Sequence, residues 1–229
     1  MKKRIFLLLV LVFGVITISG CKMEEEETTN AAALAFKEEY ESMNGKTNAS
    51  GKEHRSVTIS EDNPFEKITT KELLEKIDNK ETFYVYFGDK LCPWCRSVIE
   101  KSIEVAKEKG IEKIYYISIW DDEGNEILRD KYELQKNKAV KTIDGTEDYY
   151  KLLEIFDGLL SDYNLTNEKG KDIKTGEKRI YAPNYIYIKD GEALKLTEGI
   201  SDKQTDAREE LTEEILADEQ ELFVEFFTN

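Results

Sequence analysis

The strongest constraint on the fold is a change of pattern between residues 82 and 109. An apolar run, Thr82-Phe83-Tyr84-Val85-Tyr86-Phe87, stops shortly before Cys92-Pro93-Trp94-Cys95. The spacing then turns helical, with Val98, Ile99, Ile103 and Ala106 on one side and Gly110 as the stop. The first stretch reads as a buried strand and the second as an amphipathic helix from Pro93 to about Lys109. Proline at the first helical position has no N–H to lose and a pre-set φ, which stiffens the turn. Two thiols three residues apart in that turn share a face, roughly 5 to 6 Å between Cβ atoms. A disulfide closes there without moving the backbone. Cys92 sits among unpaired N–H groups at the positive end of the helix, which favours its thiolate over its thiol. It is the expected nucleophile.

The chain has three cysteines, and the third, Cys21, follows a leader with Lys2, Lys3 and Arg4, an apolar core from Ile5 to Ile18, and Ser19-Gly20. This is the pattern of a secretory signal over residues 1–20 rather than of a spanning helix. Ile18-Ser19-Gly20-Cys21 resembles the bacterial lipobox, which implies that Cys21 becomes the lipidated first residue of the mature chain. Export carries Cys92 and Cys95 to a compartment where disulfides persist. A purely structural bridge between them explains little, because so short a loop removes little entropy from the unfolded chain. Ligand count argues against a metal: four ligands are needed for structural zinc, and the single histidine, His54, lies in a polar stretch. No cofactor is expected.

With 33 basic and 48 acidic residues the formal charge is −15, and loss of the leader removes three basic residues and no acidic one. Such a surface repels nucleic acid and anionic headgroups, so membrane attachment falls to the lipid. Residues 21–55, rich in Glu, Thr, Asn and Gly, read as a tether with one short helix from Ala31 to Met43. The alternative is that this helix packs on the domain through Leu34, Phe36 and Tyr40.

From Val57 to Asn229, within a domain spanning 56–229, strand and helix signals alternate, which argues an α/β fold with parallel pairing around the cysteine helix. Thr69 and Glu72 form a capping-box pattern ahead of Leu73, Leu74 and Ile77. A strand follows over 113–120. Asp190-Gly191 marks a hairpin between 184–188 and 193–197, and a last helix runs from about Thr205 to Phe226. An insertion over about 121–180 carries expected helices at 124–135 and 146–160, then a hairpin or long loop over 163–181.

In this order the strand, the Cys-Pro-Trp-Cys tetrad and Ala182-Pro183-Asn184 before the hairpin resemble the thioredoxin-fold superfamily of thiol-disulfide oxidoreductases. With the lipobox, the whole chain is similar to thioredoxin-like lipoproteins of Gram-positive bacteria, some called bacteriocin transport accessory proteins. The resemblance implies a central mixed sheet flanked by helices, with the insertion placed before a cis proline at Pro183. It implies that Cys92 forms mixed disulfides with exported proteins or peptides, that Cys95 resolves them, and that an unidentified redox partner resets the pair. It gives Pro93 and Pro183 supporting roles and makes Ala182 and Trp94 substrate contacts, unless Trp94 packs sideways on the domain. The alternative function is a non-catalytic accessory protein that holds an exported peptide or its transporter. One departure stands out. Six residues before the first cysteine, where thioredoxins keep a buried acid, this chain has Tyr86, a poor base at neutral pH. Proton transfer then falls to water or Asp89. Lys90 and Arg96 are candidate thiolate-stabilising cations, or else solvated surface charges.

Overall fold

The computed structural model describes residues 20–228, with side chains from residue 31 onward. The expected signal sequence and the side chain of Cys21 lie outside the described residues. In chain order the elements are α1 (Gly20–Glu41), β1 (Phe65–Lys67), α2 (Thr70–Asp78), β2 (Phe83–Gly88), α3 (Pro93–Glu108), β3 (Ile114–Ser118), β4 (Lys131–Gln135), β5 (Lys138–Ile143), α4 (Glu147–Phe156), β6 (Asp162–Thr166), β7 (Asp172–Lys178), β8 (Asn184–Lys189), β9 (Glu192–Thr197) and α5 (Glu213–Phe227). Five strands make one mixed sheet in the order β1-β3-β2-β8-β9. The first three run parallel, and β8 and β9 are antiparallel to their neighbours.

Strand alternation divides the core by chemistry. On one face Tyr84, Tyr86, Tyr116, Tyr185 and Tyr187 pack against α1, α3 and α5. On the other, Val85, Phe87, Ile117, Ile186 and Ile188 pack against α2 and α4. Tyr86 stacks on Tyr185 with centroids 4.5 Å apart. It has room because residue 88 is glycine: a Cβ there would stand 2.1 Å from the Tyr86 ring and hydroxyl. Local signals account for the α2 and β8–β9 boundaries. Thr69 and Glu72 close a capping box on α2, and the β8–β9 turn is built on Asp190 and Gly191, both at positive φ.

Three expectations need correction. The expected tether over 21–55 is not loose where its side chains are described, and its helix packs on the domain as in the stated alternative: Ala33, Phe36 and Tyr40 are buried and Phe36 stacks on Phe65 at 4.4 Å. His54, expected in that polar tether, is buried as well. There is no helix over 124–135. Asp121 accepts from the Glu123 and Asn125 N–H groups in a turn, and Lys131–Gln135 pairs with β5 across Lys136 and Asn137, whose φ values are 51° and 60°. Helix propensity there yields to a left-handed two-residue hairpin turn. The last helix starts late. Thr212 caps it by accepting from Ile215 N–H, while Glu209 takes the N–H groups of Thr205 and Asp206 into a separate turn. The expected hairpin over 163–181 is present as β6–β7.

Candidate active site

β2 delivers the cysteine turn and β8 brings the proline loop to it. Antiparallel pairing of Phe87 with Asn184 puts the chain ahead of β8 at the end of β2 where the turn begins. The Ala182–Pro183 peptide bond is cis. Asn184, which sequence reasoning left without a role, fixes this loop: its Oδ1 accepts from Tyr181 N–H at 2.7 Å, and its Nδ2 donates to the Pro183 carbonyl at 3.0 Å.

Cys92 is the N-cap of α3, and Cys95 lies one turn inside it. Both are free thiols. Cys92 Sγ accepts from Cys95 N–H at 3.4 Å and lies 3.3 Å from the Ala182 carbonyl, to which its S–H donates. Burial pushes the Cys92 thiol up. Hydrogen bonds from the Cys95 side chain and from the backbone N–H groups of Cys95 and Trp94, with the positive charge of Arg129 behind them, more than offset that and leave it below its ordinary value. Cys95 goes the other way. Burial, then the hydrogen bond and charge of Cys92, raise it well above the usual thiol range, partly relieved by Tyr86 and the Asp89 backbone. Cys92 is therefore the thiol of the pair that gives up its proton more readily. Its residue is only 4% exposed, with half-buried Trp94 and Ala182 beside it.

Neither expected cation serves the sulfur. Lys90 turns to Asp122 at 2.5 Å. Arg96 is fully buried and donates to the carbonyls of Arg55, Tyr40 and Lys90 and to Asn44 Oδ1. It bolts the 31–59 segment to α3. The cation whose charge lowers the Cys92 thiol, as the smallest of the causes, is Arg129; it comes from the insertion and went unrecognised in the sequence. Its guanidinium grips Glu126 through two hydrogen bonds of 2.9 and 2.7 Å, with Arg179 3.5 Å from the same carboxylate.

Asp89 is buried too, but both its oxygens are taken, Oδ1 by Leu91 N–H and Oδ2 by the Ser118 hydroxyl, each at 2.7 Å. Burial raises its pKa. Trp94 packs partly against the tyrosine face of the core, the sideways alternative. The structure thus brings together Cys92, Pro93, Trp94, Cys95, Ala182 and Pro183. No protein-family model matches the chain, and no curated protein matches it.

Proposed function

We propose that this chain is a thioredoxin-fold thiol-disulfide oxidoreductase held outside the cell membrane by a lipid on Cys21. The observation that carries the reading is the asymmetry of the pair. One thiol caps α3, receives N–H hydrogen bonds and is held below its ordinary pKa, while its partner three residues on is buried and held above it. The mixed central sheet and the proline loop beside Cys92 support the reading.

In the reductive direction Cys92 thiolate attacks one sulfur of a partner disulfide. A Cys92–partner S–S bond forms, the partner's own S–S bond breaks, and its second sulfur leaves as thiolate and takes a proton. Cys95 then displaces the first partner sulfur from Cys92. The pair ends oxidised by two electrons and the partner ends as two thiols. The reverse sequence oxidises a dithiol. Half-exposed Ala182 and Trp94 flank the sulfur where an extended segment would dock.

The test is a trap. With Cys95→Ser, mixed disulfides at Cys92 should accumulate with exported proteins, and the additional change Cys92→Ser should abolish them. An empty trap together with an unaffected Cys92→Ser strain sinks the catalytic reading. It would leave the second one, a non-catalytic accessory protein, which the scant exposure of Cys92 favours. Anchoring is tested separately: Cys21→Ala should release the chain to the medium, and unchanged membrane retention would refute the lipid.

A further inference from the structure

The arginines that hold no salt bridge gather at the only histidine. Among the described residues the arginines are Arg55, Arg96, Arg129, Arg179 and Arg208. Arg129 pairs with Glu126, and Arg179 with Glu126 and Asp130. Arg55, Arg96 and Arg208 pair with no described carboxylate, in a chain whose 48 acidic residues outnumber its 33 basic ones. The fold binds their segments to one another. Arg96 Nε, from α3, donates to the Arg55 carbonyl at 2.6 Å, and Arg55 Nη2 donates to the carbonyls of Ala207, at 3.3 Å, and of Glu209 in the loop before α5.

His54, Arg55, Ser56 and Arg208 line one cavity of about 270 Å³, with exposed Glu53 at its edge. His54 is only 4% exposed. Its Nδ1 has no hydrogen-bond partner among the described residues, and neither does the Nε of Arg55 or of Arg208. Buried polar atoms left open in this way cost stability unless something completes them. The acids nearby are committed or out of reach. Glu209 Oε1 accepts from the Thr205 and Asp206 N–H groups, Glu100 accepts from Thr58 N–H, and Glu219 acts on Arg55 without forming a salt bridge. Burial, and then the charges of Arg96 and Arg208, hold the His54 imidazole below its ordinary pKa, the sign of a positive field left unbalanced.

We infer that this cavity binds a phosphoryl group, held by Arg55, Arg208, His54 and the Ser56 hydroxyl. A carboxylate has two oxygens, which a single guanidinium fork can satisfy. Two guanidinium groups, an imidazole and a hydroxyl drawn from two separate segments suit an anion with three or more oxygens. The volume is close to the lower end of small-molecule sites, about 300 Å³, so a small phosphoester fits better than a bare ion. No cysteine lines the cavity, and the inference stands apart from the thiol chemistry.

The experiment uses the one histidine as its reporter. Glycerol phosphate added to the purified chain should shift the His54 ring C–H signals in proton NMR along a saturating curve, against sodium chloride at equal ionic strength. Arg208→Gln removes a guanidinium that holds no salt bridge, so the fold should persist while binding weakens about tenfold or more, the worth of a hydrogen bond between charged groups. Lys203→Gln removes the same charge from the same loop outside the cavity, where it pairs with Glu214 and Asp218; it should leave the affinity unchanged. Vesicles of phosphatidylglycerol separate the two sources of a phosphoryl group. The net negative charge opposes an anionic surface, so no retention is expected; retention that Arg208→Gln abolishes would keep the site and name a lipid headgroup as its ligand. A shift that grows linearly with concentration, that chloride reproduces or that Arg208→Gln leaves intact overturns the site. Saturation by acetate at the same concentrations overturns the phosphoryl assignment.

Discussion

Glu219, on the inner face of α5, should make the protein less stable as pH rises from 5 to 8. It is fully buried, and neither carboxylate oxygen has a hydrogen-bond partner among the described residues. Burial pushes its pKa up to about 7, an effect that the opposing charges of Arg55 and Lys101 only partly offset. In the unfolded chain the same carboxyl titrates at about 4.3. Between those two values the native state holds a proton that the unfolded state has lost, so stability falls with rising pH and the penalty is complete above the folded pKa. A gap of between two and three pKa units at 1.36 kcal/mol each is about 3 kcal/mol in all, of which about 2 to 3 kcal/mol develops between pH 5 and pH 8. Glu219→Gln keeps the shape and removes the charge. It should match wild type at pH 5 and exceed it at pH 8 by that amount, on the order of 5 to 10 °C in Tm for a chain of this size. Thermal melts followed by circular dichroism at half-unit pH steps are the assay. If the two curves of Tm against pH run parallel, Glu219 does not titrate in this window and its ionisation costs the fold nothing.

Other expectations rest on single contacts. Arg96→Met should cost about 3 to 5 kcal/mol in urea unfolding, because it strips donors from three carbonyls and from Asn44 at once; a loss below 1 kcal/mol would mean that the 31–59 segment is held by its apolar contacts alone. Gly88→Ala should destabilise by about 1 to 3 kcal/mol as overpacking against Tyr86, and a neutral result would show that the Tyr86 hydroxyl moves freely. Alkylation of Cys92 by iodoacetamide should follow a thiolate titrating below an ordinary cysteine, and Arg129→Met should shift that profile upward. An unshifted profile would remove Arg129 from the account.

The legible part of the molecule was local. The β2–α3 unit, the capping box before α2 and the Asp190-Gly191 turn each depend on residues within a few positions of one another, and a single sequence carries that chemistry openly. The cysteines, Ala182 and Pro183 could be paired on the page only through a family resemblance, since 90 residues separate Cys92 from the Ala182 carbonyl it touches. What stayed hidden depends on distant partners. Arg96 in sequence is one charged residue on a helix otherwise apolar on its inner side, and its burial follows from carbonyls at positions 40, 55 and 90 that only the fold gathers. Arg129 looked like part of a helical stretch, because Glu126 and Arg129 at i,i+3 suit a helix as well as they suit the clamp they form.

Tyr86 shows why such a position resists reading. Taken alone, a tyrosine in place of an acid reads as a lost proton acceptor, and the nearby carboxylate of Asp89 reads as its substitute. Yet a carboxylate already committed to Leu91 N–H and the Ser118 hydroxyl has little left for sulfur. The Tyr86 hydroxyl instead shares a 2.8 Å hydrogen bond with that of Tyr40, 46 residues upstream in a helix whose docking the sequence left undecided. The departure at residue 86 and the packing of α1 are therefore one fact: two fully buried tyrosine hydroxyls, one from β2 and one from α1, satisfy each other, and removing either leaves the other without that partner.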